Sequence, residues 1–222
     1  GPILRQQYGM TEAVQPLTVL YPHQHLGSSE TGADEALGSC GRPTIHVNIT
    51  VRGADDQSVT QGEVGEIAIA HQGLGAVAFW RRPDLTASSI RNGWFYTGDL
   101  GRFDAQGYLH IVGRNKDMII TGGFNVYARE VEDTLLAHPM VAEAAVLGLP
   151  DAEWGEIVAA FVVLRPNMAV EPSTLQAHCG ERIAGYKKPR HLEFVDAMPR
   201  NLAGKVVKAT LRDTYLARQA KP

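Results

Sequence analysis

Apolar and polar positions alternate with a period of two from Ile45 to Arg52. Ile45, Val47, Ile49 and Val51 fall on one side, and His46, Asn48, Thr50 and Arg52 on the other. Such alternation predicts a half-buried strand, closed by a turn at Gly53-Ala54-Asp55-Asp56. Further strands are predicted over 66–70, 95–97 and 108–112, the last two separated by the turn Asp104-Ala105-Gln106-Gly107. Residues 1–45 carry turn text, not helical periodicity, at Gly27-Ser28-Ser29-Glu30-Thr31-Gly32 and at Gly38-Ser39-Cys40-Gly41-Arg42-Pro43. A short helix is expected between Arg82 and Ile90, with Asp84 or Thr86 near its cap. This first stretch therefore reads as a small β-barrel or sandwich.

After Asn125 the spacing changes. Tyr127, Val131, Thr134 and Leu135 recur at helical intervals, and His138-Pro139 ends that helix. Strands follow over 141–147 and 157–164, a helix opens near Pro172-Ser173, a strand covers 192–195, and a helix covers 208–216. The alternation marks a separate α+β unit. The fold class expected is α+β, with one domain over 1–115, a second over 116–222, and the boundary at Lys116. At 222 residues the chain has room for one or two cores, at roughly 100–200 residues per domain.

Composition narrows the functional classes. The chain is 44% hydrophobic and 20% charged, and its net charge of −3 gives no broad electrostatic reason to expect nucleic acid or an anionic membrane. No apolar run approaches the ~20 residues that span a bilayer, and no secretory signal opens the sequence. Cys40 and Cys179 lack paired spacing and are expected as free thiols in a reducing compartment, which favours the cytoplasm. His23-Gln24-His25 has no companion ligands at useful spacing and reads as a surface loop.

Four short motifs carry the candidate chemistry: Tyr8-Gly9-Met10-Thr11-Glu12, Tyr96-Thr97-Gly98-Asp99, the run Gly113-Arg114-Asn115-Lys116-Asp117 through Gly122-Gly123-Phe124-Asn125, and Pro199-Arg200-Asn201-Leu202-Ala203-Gly204-Lys205. Taken singly they also fit a helix cap, a turn aspartate, a surface ion pair and a hairpin lysine. Physically they offer a carboxylate at a glycine turn, a charged cluster after a strand, and a glycine pair where a ligand's chain can come close to backbone. Gly204-Lys205 is not a phosphate loop of the Walker type, because the upstream glycine and following hydroxyl residue are absent.

In order and spacing the four motifs resemble those of the adenylate-forming enzymes: acyl-CoA synthetases, peptide-synthetase adenylation domains and luciferases. The resemblance covers nearly the whole chain but only the C-terminal portion of such an enzyme; the upstream phosphate loop and most of the acyl pocket have no counterpart here. It implies that residues 1–115 are the β-subdomain of a large AMP-binding domain and that 116–222 form a mobile C-terminal domain. It implies ATP/AMP, Mg²⁺ and coenzyme A as ligands, with a small carboxylate, such as a fatty acid, as substrate. It places Tyr8 and Gly9 near adenine, Thr11 at the phosphates and Glu12 on Mg²⁺, a role suited to a hard cation that takes one or two carboxylates along with phosphates. Asp99 and Arg114 meet the ribose, Lys116 is the hinge, Gly122 and Gly123 line the pantetheine tunnel, and Lys187 in the basic cluster 185–190 approaches the coenzyme A nucleotide. The same resemblance implies that Lys205 is the catalytic lysine bridging carboxylate and α-phosphate, with Thr11 and Glu12 as its catalytic companions. Two departures are visible: Ala128 replaces the usual first-turn proline, and Arg200-Asn201 stands where Lys-Thr is frequent. The expected reaction is ATP-dependent acyl-CoA ligation through an acyl-adenylate. The alternatives are a truncated, non-catalytic interaction module and an amino-acid adenylation domain that loads a carrier protein.

Overall fold

The computed structural model describes residues 3–13, 16–25, 36–70 and 78–219. The turn text at Gly27-Ser28-Ser29-Glu30-Thr31-Gly32 lies outside the described residues. The chain divides into two compact units, Gly1–Asn115 and Lys116–Pro222.

The first unit holds two antiparallel sheets. The smaller runs β1 (Gln6–Tyr8), β2 (Thr18–Leu20) and β3 (Arg42–Pro43) in that order. The larger contains β4 (Ile49–Arg52), β5 (Gly65–Ala70), β6 (Ile90–Arg91), β7 (Trp94–Phe103) and β8 (Leu109–Arg114), in the order β4-β5-β7-β6 with β8 pairing β7. Tyr8 and Leu17 pack with Val51, Ile67, Phe95 and Leu109 into one core, so side chains from both sheets share a layer. Burying each of these side chains stabilises the unit by about 1.5–3 kcal/mol. Of the two architectures expected, the layered one describes this unit; the strand order does not close into a barrel among the described residues.

One local expectation is corrected. The strand predicted from Ile45 begins only at Ile49, because Thr44 is tied down by its N–H to Leu17 O (3.1 Å) and its hydroxyl to Pro16 O (3.1 Å). The chain must turn there, the Val47 N–H closes onto Thr44 O, and Ile45 is left 93% exposed. Helix α1 (Pro83–Ser89) has Asp84 near its cap as expected, in the first turn; Arg82 is the N-cap with no side-chain bond to the helix N–H groups, and Pro83 starts the helix. A proline fits there because its missing N–H would have been unpaired anyway.

The second unit is a five-stranded sheet covered on both faces. It comprises β9 (Met118–Thr121), β10 (Phe124–Tyr127), β11 (Val141–Asp151), β12 (Gly155–Leu164) and β13 (His191–Phe194), ordered β10-β9-β12-β11 with β13 parallel to β12. Helices α2 (Ala128–Leu136) and α3 (Pro172–Gly180) bury Val131, Leu135 and Leu175 against Val146, Val158 and Ala160 on one face. Helix α4 (Lys208–Gln219) lays Leu211 over Leu147, Ala159 and Phe161 on the other. The unbroken apolar run in β12 follows from that double covering. Ala128 opens α2 and is buried, a place where alanine serves as well as proline.

The hairpin β9–β10 is not among the strands that periodicity predicts. Phe124 pairs with Thr121, leaving Gly122 and Gly123 as a two-residue turn with φ of +56° and +82°. Positive φ at both centres is the turn whose twist matches a hairpin, and glycine adopts it freely. Cys40 and Cys179 are free and buried, and burial pushes the Cys179 thiol up to about 11. Among the described residues no helix is long and apolar enough to cross a membrane.

Candidate functional site

In the first unit the Thr97-Gly98-Asp99 motif is a bulge. Tyr96 pairs with Ala68 and Leu100 with Glu66, so three residues of β7 stand opposite the single residue Ile67 of β5. The excess backbone loops out, and its conformation is set by side chains. The Thr97 hydroxyl donates to Ile67 O at 2.9 Å and accepts the Asp99 N–H at 3.1 Å. The Gly98 N–H donates to Glu66 Oε1 at 3.1 Å, and Gly98 takes a φ of +76° with open space around its α-carbon.

Asp99 is thus presented on a braced turn, and its carboxylate has two protein partners. The Tyr8 hydroxyl donates to Oδ2 at 2.7 Å and the Arg114 Nε–H donates to Oδ1 at 3.1 Å. Asp99 and Arg114 are register partners on β7 and β8, which explains why residues fifteen apart in sequence meet. The Asp99 side chain is 14% exposed, whereas that of Arg114 is 54% exposed. An ionised carboxylate has about four lone-pair sites, so each oxygen keeps room for one more donor. Burial, followed by the nearby Asp99 charge, pushes the Tyr8 phenol well above its ordinary range, so Tyr8 stays a donor at neutral pH.

Glu66 is the residue that sequence reading missed. Besides the Gly98 N–H, it faces Asn115 Nδ2 at 3.5 Å and the Arg91 guanidinium at 3.8 Å, with its side chain 17% exposed. It braces the bulge and the last residue of this unit together. No local motif marks it; only the strand register does.

Thr11 and Glu12 sit elsewhere in the same unit. They border an open recess of about 270 Å³ whose apolar wall is Phe79, Trp80, Ile90 and Phe95. Tyr8 is buried and Gly9 exposed at the end of β1, leading into that turn. Tyr8, Asp99 and Arg114 are therefore brought together, while Thr11 and Glu12 face a recess that Asp99 does not line. Glu12 offers a single half-buried carboxylate, which fits a Mg²⁺ ion whose other ligands are phosphate and water.

In the second unit, Lys205 stands on a short loop between Arg200 and Val206, which form an antiparallel bridge. The Asn201 Oδ1 accepts the N–H groups of Ala203 and Lys205, both at 3.0 Å, and Gly204 takes a φ of +77°. The Arg200 guanidinium donates to Gly204 O at 2.7 Å and pairs with Glu143. The loop backbone is thus defined while the Lys205 side chain is exposed. An Asn two residues before the bonded N–H is a signal the sequence did offer. Lys187 lies in a short turn of 3-10 helix and places its ammonium on both oxygens of Glu130, at 2.7 and 2.8 Å, so its charge is already partnered. The Tyr186 ring lies against that of Phe124, next to Gly123, with centroids 4.8 Å apart and planes tilted by 30°.

Residues 130–205 match the AMP-binding enzyme C-terminal domain. Across its length the chain is related to adenylate-forming ligases. It is 41% identical over 222 residues to a medium/long-chain-fatty-acid–CoA ligase of Mycobacterium tuberculosis, a match covering 97% of this chain and 38% of that protein. Among solved structures it resembles o-succinylbenzoate–CoA synthetase of Bacillus subtilis in complex with its acyl-adenylate intermediate, with a TM-score of 0.82, 37% identity, and 96% and 41% of the two chains covered. It also resembles an amide bond synthetase of Marinactinospora thermotolerans, with a TM-score of 0.85, 36% identity, and 97% and 42% coverage. The chain therefore spans about two fifths of the length of the relatives it matches.

Proposed function

We propose that this chain is the C-terminal part of an ATP-dependent carboxylate–CoA ligase that works through an acyl-adenylate. The observation that carries the reading is the braced carboxylate of Asp99, which Tyr8 and Arg114 hold with acceptor capacity to spare, in a chain whose residues 130–205 match an AMP-binding enzyme domain. On this reading Asp99 accepts from the two ribose hydroxyls and Arg114 closes over the sugar. Tyr8 and Gly9 border the adenine, Thr11 meets the phosphates, and Glu12 contributes one ligand to Mg²⁺, which neutralises phosphate charge when bound. Lys205 bridges the carboxylate and the α-phosphate, where a positive charge stabilises the developing negative charge of the displacement.

The second half of the reaction uses other residues of the second unit. Motion about Lys116 exchanges Lys205 for the Gly122–Gly123 turn, where the open space at Gly123 leaves a passage for pantetheine, and the thiol attacks the acyl carbon of the adenylate, forming the thioester as the acyl–phosphate bond breaks and AMP leaves. Lys187 approaches the coenzyme A nucleotide only if its bond to Glu130 is given up, which makes it the weakest of these assignments energetically. Fatty acids are the proposed substrate class, supported by the likeness to the mycobacterial fatty-acid ligase. The likeness to an amide bond synthetase favours a second reading of the acceptor alone, with an amine in place of the thiol.

The test uses the longer enzyme to which this reading assigns the chain. Carboxylate-dependent exchange of pyrophosphate into ATP, followed by thioester release on addition of coenzyme A, is the expected result with a fatty-acid panel. Amide release with an amine and none with coenzyme A selects the second reading. Absence of exchange with every carboxylate rejects both.

A further inference from the structure

The Gly122–Gly123 turn rests on an aromatic floor that no motif announces. The Gly122 N–H donates to Trp154 O at 2.9 Å, and Thr121 pairs with Gly155 at the start of β12. A β-carbon built on Gly122 would lie 2.7 and 2.9 Å from Cε3 and Cζ3 of the Trp154 indole, too close for any real contact. A φ of +56° alone is one that asparagine or aspartate tolerates, so it is the indole that demands glycine here.

The indole is itself held from several sides. Asp151 Oδ1 accepts the N–H groups of Glu153 and Trp154, both at 2.9 Å, fixing the turn between β11 and β12. The Arg190 guanidinium lies 4.0 Å from the Trp154 ring centroid, and the Arg190 N–H is anchored to Val158 O at 2.9 Å. The indole Nε1 is buried and has no hydrogen-bond partner among the described residues. Trp154 thus contributes its flat surface and not its N–H, which burial without a partner makes a cost.

We propose that Trp154 is the positioning residue of the Gly122–Gly123 turn, and that through it the residue acts on thioester formation and not on adenylation. The inference rests on the reading of that turn as the passage for pantetheine. Trp154 touches no reacting atom; it fixes the height of the turn's backbone, where a misplacement of about 1 Å can cost about a hundredfold in rate.

Two measurements test it. In the isolated chain, one Gly122 α-proton lies against the indole and is expected strongly upfield in the NMR spectrum; Trp154→Ala returns it to the ordinary glycine position, and Trp154→Phe leaves it shifted. An ordinary position in the unsubstituted chain overturns the proposal. In the longer enzyme, Trp154→Ala is expected to raise the coenzyme A KM and slow the thiol-dependent step about tenfold or more, while pyrophosphate exchange stays within about twofold, and Trp154→Phe restores most of the loss. Equal loss in both half-reactions, or loss in neither, overturns the inference while leaving the proposed function intact. An unsubstituted enzyme that adenylates but forms no thioester overturns both.

Discussion

The Asp99 bulge and the Lys205 loop are both short turns carrying one candidate functional charge, yet they are built in opposite ways. At Asp99 the charge itself is gripped: Tyr8 and Arg114 bind the two carboxylate oxygens, and Thr97 and Glu66 fix the backbone beneath. At Lys205 only the backbone is gripped, by Asn201 and Arg200, while the lysine and its neighbour Leu202 stand in solvent. A group that must meet a ligand in one fixed place gains from being preorganised, because no ordering remains to be done on binding. A group that acts in only one of two steps gains from a free side chain on a defined stalk. The contrast is the one that the proposed function asks for: a carboxylate that binds in one fixed place and a lysine used in a single step.

The largest effect is expected at the free charge. Lys205→Ala in the longer enzyme should lower pyrophosphate exchange by about 10²–10³-fold, while thioester formation from supplied adenylate changes little, since on the proposed function the lysine supports only the first displacement. Comparable loss in both steps would erase the distinction between the two turns. Next comes the gripped charge: Asp99→Ala should raise the ATP KM by about 10–100-fold and destabilise the first unit by about 1–3 kcal/mol in urea titrations, because the buried Tyr8 hydroxyl loses its acceptor. Glu66→Ala, which touches no ligand, is expected to raise the ATP KM several-fold by releasing the Gly98 N–H, and Glu66→Gln should restore most of it because the amide oxygen still accepts. A stability loss with no change in KM would reduce Glu66 to a structural brace.

The smallest effect concerns pH. Burial raises the Asp104 carboxyl, but the His110 ring and the N–H groups of Tyr108 and Gln106 lower it by more, so its folded value lies below the ordinary one. The stability this supplies is present above about pH 4 and is lost as pH falls through the folded value. The urea midpoint of Asp104→Asn should therefore lie below that of the unsubstituted chain at pH 7, and the two should converge in acid. Asp104 braces the turn between β7 and β8, so this checks the platform that pairs Asp99 with Arg114.

Sequence made the second unit legible because its periods are clean. Val131 and Leu135 lie one helical turn apart, and the apolar runs in β11 and β12 are long. The first unit was less so: the alternation from Ile45 continues through a turn that tertiary bonds to Thr44 impose, and periodicity carries no information about those bonds. The candidate site residues were readable where a motif holds them in a row. Glu66 and Trp154 were not, since one acts through a bulge register and the other through a contact with a glycine thirty-two positions away, and neither leaves a trace in local spacing.

The central claim is that the Asp99 bulge is a ribose acceptor already in place. It is tested most directly by titrating isotopically labelled chain with AMP and following backbone amides. The account predicts shifts centred on Gly98, Asp99 and Arg114 that Asp99→Ala abolishes, with the Lys205 loop unmoved. Shifts confined to the Lys205 loop, or none at the bulge at millimolar AMP, would contradict it.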